Sequence, residues 1–182
     1  MEELIQKLEN FIREKNVEAD HMLRTGSWLK QLSQKSDDTF YIAAICHDIE
    51  RCFPLRDGEV KPAKTGDDQL DGEYLTWHGK RSAEFTEQLL RKHGFDNEKE
   101  IEKIKTLIAE HDLGGTAERD LMRDADSISL LENNIPVFIK EGRDENELKE
   151  KVISEFKRLS SEKARGFAKP FYEKLFKELS HS

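Results

Sequence analysis

Phe40-Tyr41-Ile42-Ala43-Ala44-Ile45-Cys46-His47-Asp48 is an apolar run that closes on an imidazole and a carboxylate. Ser36-Asp37-Asp38-Thr39 precedes it and makes a good helix-capping sequence. Hydrophobicity runs nearly all the way round the resulting helix, as expected of a central, buried one. Pro54 follows closely and is expected to stop it. His47 and Asp48 therefore start out buried. A buried imidazole beside a buried carboxylate is unfavourable unless each finds a partner, and a metal ion satisfies both.

Amphipathic helices extend on either side. Leu4, Ile5, Leu8, Phe11 and Ile12 recur at three- and four-residue intervals and predict a first helix ending near Asn16. A second, from about Val17 to Ser33, carries His21, Leu23, Trp28, Leu29 and Leu32. Residues 53 to about 73 form one long irregular stretch with the acidic pair Asp67-Asp68, and so long a connection is usually functional or disordered. Helical periodicity resumes with Trp77, Ala83, Phe85, Leu89 and Leu90 and breaks at His93-Gly94. Further helices are expected from about Glu98 to Glu110, from near Thr116 through Leu131, and over the tail from about Asp144. Ile135-Pro136-Val137-Phe138-Ile139 is the one β-like run, and its proline argues against a central strand. The expectation is an all-α, single-domain helical bundle spanning residues 1–182.

At 182 residues the chain can bury one substantial core. Its 37% charged and 36% hydrophobic residues, four prolines and ten glycines suit a helical domain that needs no membrane. A net charge of −8 excludes tight non-specific binding to duplex nucleic acid, which needs many phosphate-neutralising cations. No apolar stretch approaches the roughly 20 residues that span a bilayer. Met1-Glu2-Glu3 is acidic and opens an amphipathic helix, unlike a signal peptide. Cys46 and Cys52 read as reduced thiols, and the expected location is cytoplasmic.

Four of the six histidines, His21, His47, His78 and His111, fall at comparable points in successive helices or helix ends. His93, beside a helix-terminating glycine, and His181, in the tail, look like bystanders. Asp124 and Asp126 are two positions apart, so on a helix they point roughly 200° apart and only one can face a given site. The apolar set Leu121, Ala125 and Ile128 places Asp124 nearer the core stripe.

The order His21, then His47-Asp48, then a late Asp resembles the HD superfamily of metal-dependent phosphohydrolases over roughly residues 17 to 133. Trp77-His78-Gly79-Lys80-Arg81-Ser82-Ala83 and Ile108-Ala109-Glu110-His111 are similar to family segments that carry two further histidine ligands. The resemblance implies a helical bundle in which His21, His47, Asp48, His78, His111 and Asp126 bind metal, with Asp48 bridging two ions. It favours Asp126 over Asp124, leaving Asp124 as the alternative or as a residue behind a ligand. Imidazole with carboxylate suits Fe, Mn, Co, Ni or Zn, one or two ions. Such ions polarise a phosphoryl group and make hydroxide available near neutral pH.

The basic residues nearest these motifs are candidate phosphate grips: Arg24, Arg51, and above all Lys80 and Arg81, which directly follow His78. Asp48, Lys80 and Arg81 are accordingly the expected catalytic group, and Glu50 and Glu110 have a weak claim as acid or base. Position 51 is Arg where nucleotidase and alarmone-hydrolase branches commonly carry Glu, and no GYP triad follows His78. The resemblance thus implies hydrolysis of a small phosphorylated, nucleotide-type substrate by a monomer or homodimer. An HD-type di-iron oxygenase and a non-catalytic nucleotide sensor are the alternatives.

Overall fold

Asp37 accepts the Phe40 N–H at 3.1 Å and so starts the central helix. In the computed structural model, which describes residues 1–15, 17–34, 37–62 and 72–180, that helix is α3, Asp38–Cys46. Every residue from Thr39 to Cys46 is buried, which accounts for the absence of an apolar stripe. α3 ends at Cys46, eight residues before Pro54, and a short 3₁₀ turn, Ile49–Cys52, follows. The proline is therefore not what stops it. Asp48, at φ −108° and ψ 14°, sits in the sparsely populated region between helix and strand, and the chain turns there.

Around α3 lie α1 (Glu2–Lys15), α2 (Ala19–Leu32), α4 (Gly72–Lys92), α5 (Glu98–Ala109) and α6 (Ala117–Ser129). α1 presents Leu4, Leu8 and Ile12 inward and is tied to α3 where the Tyr41 hydroxyl donates to Glu9 at 2.6 Å. α2 packs between α3 and α6, and α5 between α3 and α4. α7 (Ile135–Lys140), α8 (Glu145–Lys157) and α9 (Glu162–Glu178) complete the single all-helical domain. Among the described residues no helix is long and apolar enough to cross a membrane.

The β-like run 135–139 is helical. α6 passes into a π turn at Leu130–Asn134, where the Ile135 N–H reaches back five residues to the Leu130 carbonyl, and α7 continues from it. Pro136 lies in the first turn of α7, where an N–H would have no intrahelical partner. The C-terminal aromatics pack on this chain: Trp28 meets Phe167 and Phe171 at centroid distances of 5.3 and 6.1 Å, and Phe156 stacks on Tyr172 at 4.3 Å. Both cysteines are free, and burial pushes the thiols up, Cys46 to about 12 and Cys52 to about 11.

Two glycines set how closely the inner helices approach. A Cβ at Gly26 would fall 2.6 Å from side-chain atoms of both Tyr41 and Ile45, so α2 lies directly on α3. A Cβ at Gly79 would fall 2.7 Å from the Ala109 carbonyl oxygen, against backbone that has nowhere to go. That contact joins α4 to the end of α5, beside His78 and two residues before His111. Gly79→Ala is expected to destabilise the fold by about 1–3 kcal/mol through overpacking. Urea titration checks this, and wild-type stability would contradict the close approach.

Candidate metal centre

Five segments bring their polar groups to one place. His21 comes from the first half of α2, His47 from the end of α3 and Asp48 from the turn after it. His78 comes from α4, His111 from the turn that ends α5, and Asp126 from α6. All six are buried. Helix ends and turns suit this, because they let a side chain aim along the bundle and not only across it.

The rings are locked by what their Nδ1 atoms meet. His47 Nδ1–H donates to the Ala44 carbonyl at 2.8 Å and His111 Nδ1–H to the Ile108 carbonyl at 2.7 Å. Ser129 Oγ donates to the His21 carbonyl at 2.8 Å, which leaves that oxygen to accept from His21 Nδ1–H at 3.1 Å. His78 Nδ1 lies 3.4 Å from the Glu50 carboxylate, which can only accept. In the neutral rings the Nδ1 proton therefore points outward in all four, and each Nε2 lone pair points inward. Outer acceptors of this kind orient metal-binding imidazoles.

The inward atoms have metal-like spacing. His21 Nε2, His47 Nε2 and Asp126 Oδ1 form a triangle with every side 3.2 Å. A metal bonded at about 2.0–2.1 Å implies sides of about 3.0 Å at right angles and about 3.4 Å at tetrahedral ones. Asp48 faces two ways: Oδ2 lies 3.7 Å from His47 Nε2 and 3.9 Å from His21 Nε2, while Oδ1 lies 3.0 Å from His78 Nε2. Three groups, His21–His47–Asp48, His47–His111–Asp126 and Asp48–His78–His111, each offer ligand atoms within 4.8 Å of one another. This buried cluster can hold a metal ion.

Its electrostatics are those of a site arranged for positive charge. Burial alone pulls the His47 imidazole down, but Asp48 and Asp126 outweigh it and lift it to about 9. His78 rises to about 9 against the same penalty, through Asp48 and Glu50. Burial pushes up on Asp48, yet Arg51 and the imidazoles hold it well below the usual carboxylate range. Asp126 is held low likewise, chiefly by His47 and His21. His111 is depressed, chiefly by burial.

The cluster forms the floor of a cavity of about 390 Å³. Asp112, which sequence reasoning missed, lines it with Oδ2 3.2 Å from His111 Nε2 and Oδ1 accepting from Arg158 at 2.8 Å. Arg51 lines it as well, 3.0 Å from Asp48 and paired with Glu18. Lys61, Arg143 and Lys151 are the further cations of the lining. Three of these five, Arg143, Lys151 and Arg158, come from the C-terminal segment, outside the stretch that carries the resemblance. No local motif marks them.

Other expected residues lie elsewhere. Lys80 is exposed and does not line the cavity. Arg81 is buried behind the centre, donating to the Glu50 carboxylate at 3.3 Å and to Glu59 at 2.9 Å. It anchors the start of the 53–73 segment and supports His78 through Glu50, so neither residue is placed to grip substrate. Arg24 is held by both oxygens of Glu132 at 2.6 and 3.0 Å, and Glu110 pairs with Arg119. Asp124 is buried, as its place near the apolar stripe implies, but against α9. Its carboxylate accepts from the N–H and Oγ of Ser160 at 2.7 and 2.9 Å, and from those of Ser161 at 3.2 and 2.8 Å. Asp126 is the one that faces the cluster. His93 lies at the end of α4, away from these groups; Asp67-Asp68 and His181 fall outside the described residues.

Fold and site together define an all-α protein with a buried His/Asp centre able to hold metal. Residues 6–178 match the family described as Domain of unknown function (DUF4202), and the chain belongs to that family. No curated protein and no solved structure matches it.

Asp124→Ala is expected to lower stability by about 2–3 kcal/mol, through lost capping and buried hydrogen bonds, while metal content is retained. Asp126→Ala should instead weaken metal affinity by more than about 100-fold, beyond the loss of an outer partner. Denaturant titration and elemental analysis of the two variants distinguish these outcomes.

Proton linkage gives a second test. In the metal-free protein His47 and His78, raised from 6.5 to about 9, contribute stability in full below 6.5 and lose it as pH rises through 9. Asp48 and Asp126, depressed from 3.8, contribute above that value and lose their contribution as pH falls further. The metal-free melting temperature should therefore peak between about 4 and 6.5. Metal competes with protons for Nε2, so the melting-temperature gap between metal-loaded and chelated protein should widen from about pH 6.5 to 9. A gap independent of pH would contradict this account.

Proposed function

We propose that this protein is a metal-dependent phosphohydrolase of the HD type, cleaving a phosphate ester of a small, nucleotide-type substrate. One observation carries the proposal: Asp48 turns one oxygen toward His21 and His47 and the other toward His78, in a cavity that Arg51 and Arg158 also line. His21, His47 and Asp126 would hold one divalent transition ion with Asp48, and His78 and His111 a second. Ions bound there supply Lewis acidity toward a phosphoryl oxygen and lower the pKa of water to near neutrality.

The remaining work belongs to the side chains. Arg51 and Arg158 both line the cavity, each one carboxylate removed from an imidazole, and a guanidinium matches phosphate oxygens by paired N–H donation. Asp112 steers Arg158 by accepting from it at 2.8 Å. Glu50 keeps the His78 ring oriented, and Arg81 keeps Glu50 in place. Guanidinium groups next to the His/Asp cluster favour phosphate chemistry over oxidative chemistry for the same ligand set.

The metal-reconstituted protein should turn over members of a phosphomonoester and phosphodiester panel. Asp48→Asn should abolish that turnover. Arg158→Ala should raise KM about 10- to 100-fold, as expected for losing a charged hydrogen bond to phosphate. Metal-loaded protein that hydrolyses no ester, or that instead consumes oxygen, would overturn the proposal.

A further inference from the structure

The chain contains a second His-Asp pair. His111-Asp112 stands in the turn that ends α5, as His47-Asp48 stands at the end of α3. The local contacts repeat. Each imidazole donates Nδ1–H to the carbonyl three residues back, His47 to Ala44 at 2.8 Å and His111 to Ile108 at 2.7 Å. Each aspartate has Oδ2 near the Nε2 of its own histidine, at 3.7 Å in the first pair and 3.2 Å in the second. Each also meets a guanidinium, Arg51 at 3.0 Å from Asp48 and Arg158 at 2.8 Å from Asp112. Asp48, His111 and Asp112 all line the cavity over the centre.

The 3.2 Å contact calls for a cation. The one proton of a neutral His111 ring is placed on Nδ1, so the Nε2 lone pair faces a carboxylate oxygen, which can only accept. A second ring proton would relieve this, but His111 is 3% exposed and burial disfavours the imidazolium. Nε2 and carboxylate oxygens meet at the same 3.2 Å in the triangle of His21, His47 and Asp126. Arg158 donates to Asp112 Oδ1, while Oδ2 is the oxygen turned to His111. A carboxylate that ligates metal is commonly held by an outer hydrogen bond in this way.

We propose that Asp112 is a seventh ligand of the centre and completes the donor set of the second ion. The inference rests on the two-ion reading above and deepens it. Without Asp112 the second ion has His78, His111 and a share of Asp48, whereas the first has His21, His47 and Asp126 besides Asp48. Asp112 removes the inequality. Each ion then has two imidazoles, one carboxylate of its own and the shared Asp48. Three carboxylates also offset more of the charge of two divalent ions than two do. Arg158, coming from α8, is then the outer partner of a ligand as well as a cation of the cavity wall.

Metal uptake by the full chain tests this. Chelated wild type titrated with Zn(II) is expected to bind two ions per chain, read by calorimetry and elemental analysis. Asp112→Asn keeps an acceptor for Arg158 and should weaken the second ion by more than about 100-fold, with the first retained. Arg158→Ala removes only the outer partner and should weaken it less. Asp112→Cys offers a thiolate in place of the carboxylate. Loaded with Co(II), it should show a sulfur-to-cobalt charge-transfer absorption that the wild type lacks. Absence of that band, or two ions held at wild-type affinity by Asp112→Asn, overturns the proposal. Equal losses in Asp112→Asn and Arg158→Ala would make Asp112 a holder of Arg158 and overturn it too. A wild type that takes up one ion only overturns the two-ion reading and the seventh ligand together. Two tightly held ions, one of them lost in Asp112→Asn, bear out the ligand even if no ester is hydrolysed, and only the phosphohydrolase reading then falls.

Discussion

Four imidazole lone pairs and two carboxylates face one another in a space removed from bulk water, and their mutual repulsion is relieved only by a cation among them. Much of the structure can be understood as what is needed to hold that arrangement. The Nδ1 acceptors come from backbone carbonyls one turn back, from Ser129 and from Glu50, so the rings cannot turn away. The helices supplying the rings are pressed together at Gly26 and Gly79, where any side chain would force them apart. In the absence of metal, protons take the same place, which is why His47 and His78 are raised despite burial.

The same constraint explains the roles of the charged residues behind the centre. A buried carboxylate such as Glu50 needs its own counter-charge, which Arg81 supplies, and Arg81 in turn gathers Glu59 and the Pro54 carbonyl. The support thus extends outward from His78 into the segment that follows the 3₁₀ turn. α6 and the π turn after it do the corresponding work for α2: Ser129 reaches His21, and Glu132 reaches Arg24 and Trp28. Arg24 and Arg81 are thereby committed to structure, although both lie three residues from a histidine in sequence.

The all-apolar helix and the ordered histidines were legible because both are local signals: burial all round, and ring-bearing residues in successive helices or at their ends. The choice between Asp124 and Asp126 was not settled by periodicity, since α6 is buried from Asp124 through Ser129 and has two inward faces. One looks at the His/Asp cluster and the other at the start of α9. Proximity to His78 misdirected attention to Lys80 and Arg81, because adjacency along a helix does not say which side a long cation will take. Arg158 and Asn134 were invisible for a different reason. They reach the cavity by tertiary folding of the last third of the chain, and a π turn has no reliable sequence signature.

That turn also sets the orientation of everything after it. A π turn holds one residue more than the helical repeat, so α7 leaves α6 rotated by roughly 100° relative to an unbroken helix. Asn134, Phe138 and Arg143 meet the cavity in that rotated frame. The extra residue therefore behaves as a phase shifter. A chain shortened by one position between Leu130 and Asn134 could keep every metal-facing side chain and every helix, yet present a different wall to whatever the cavity receives.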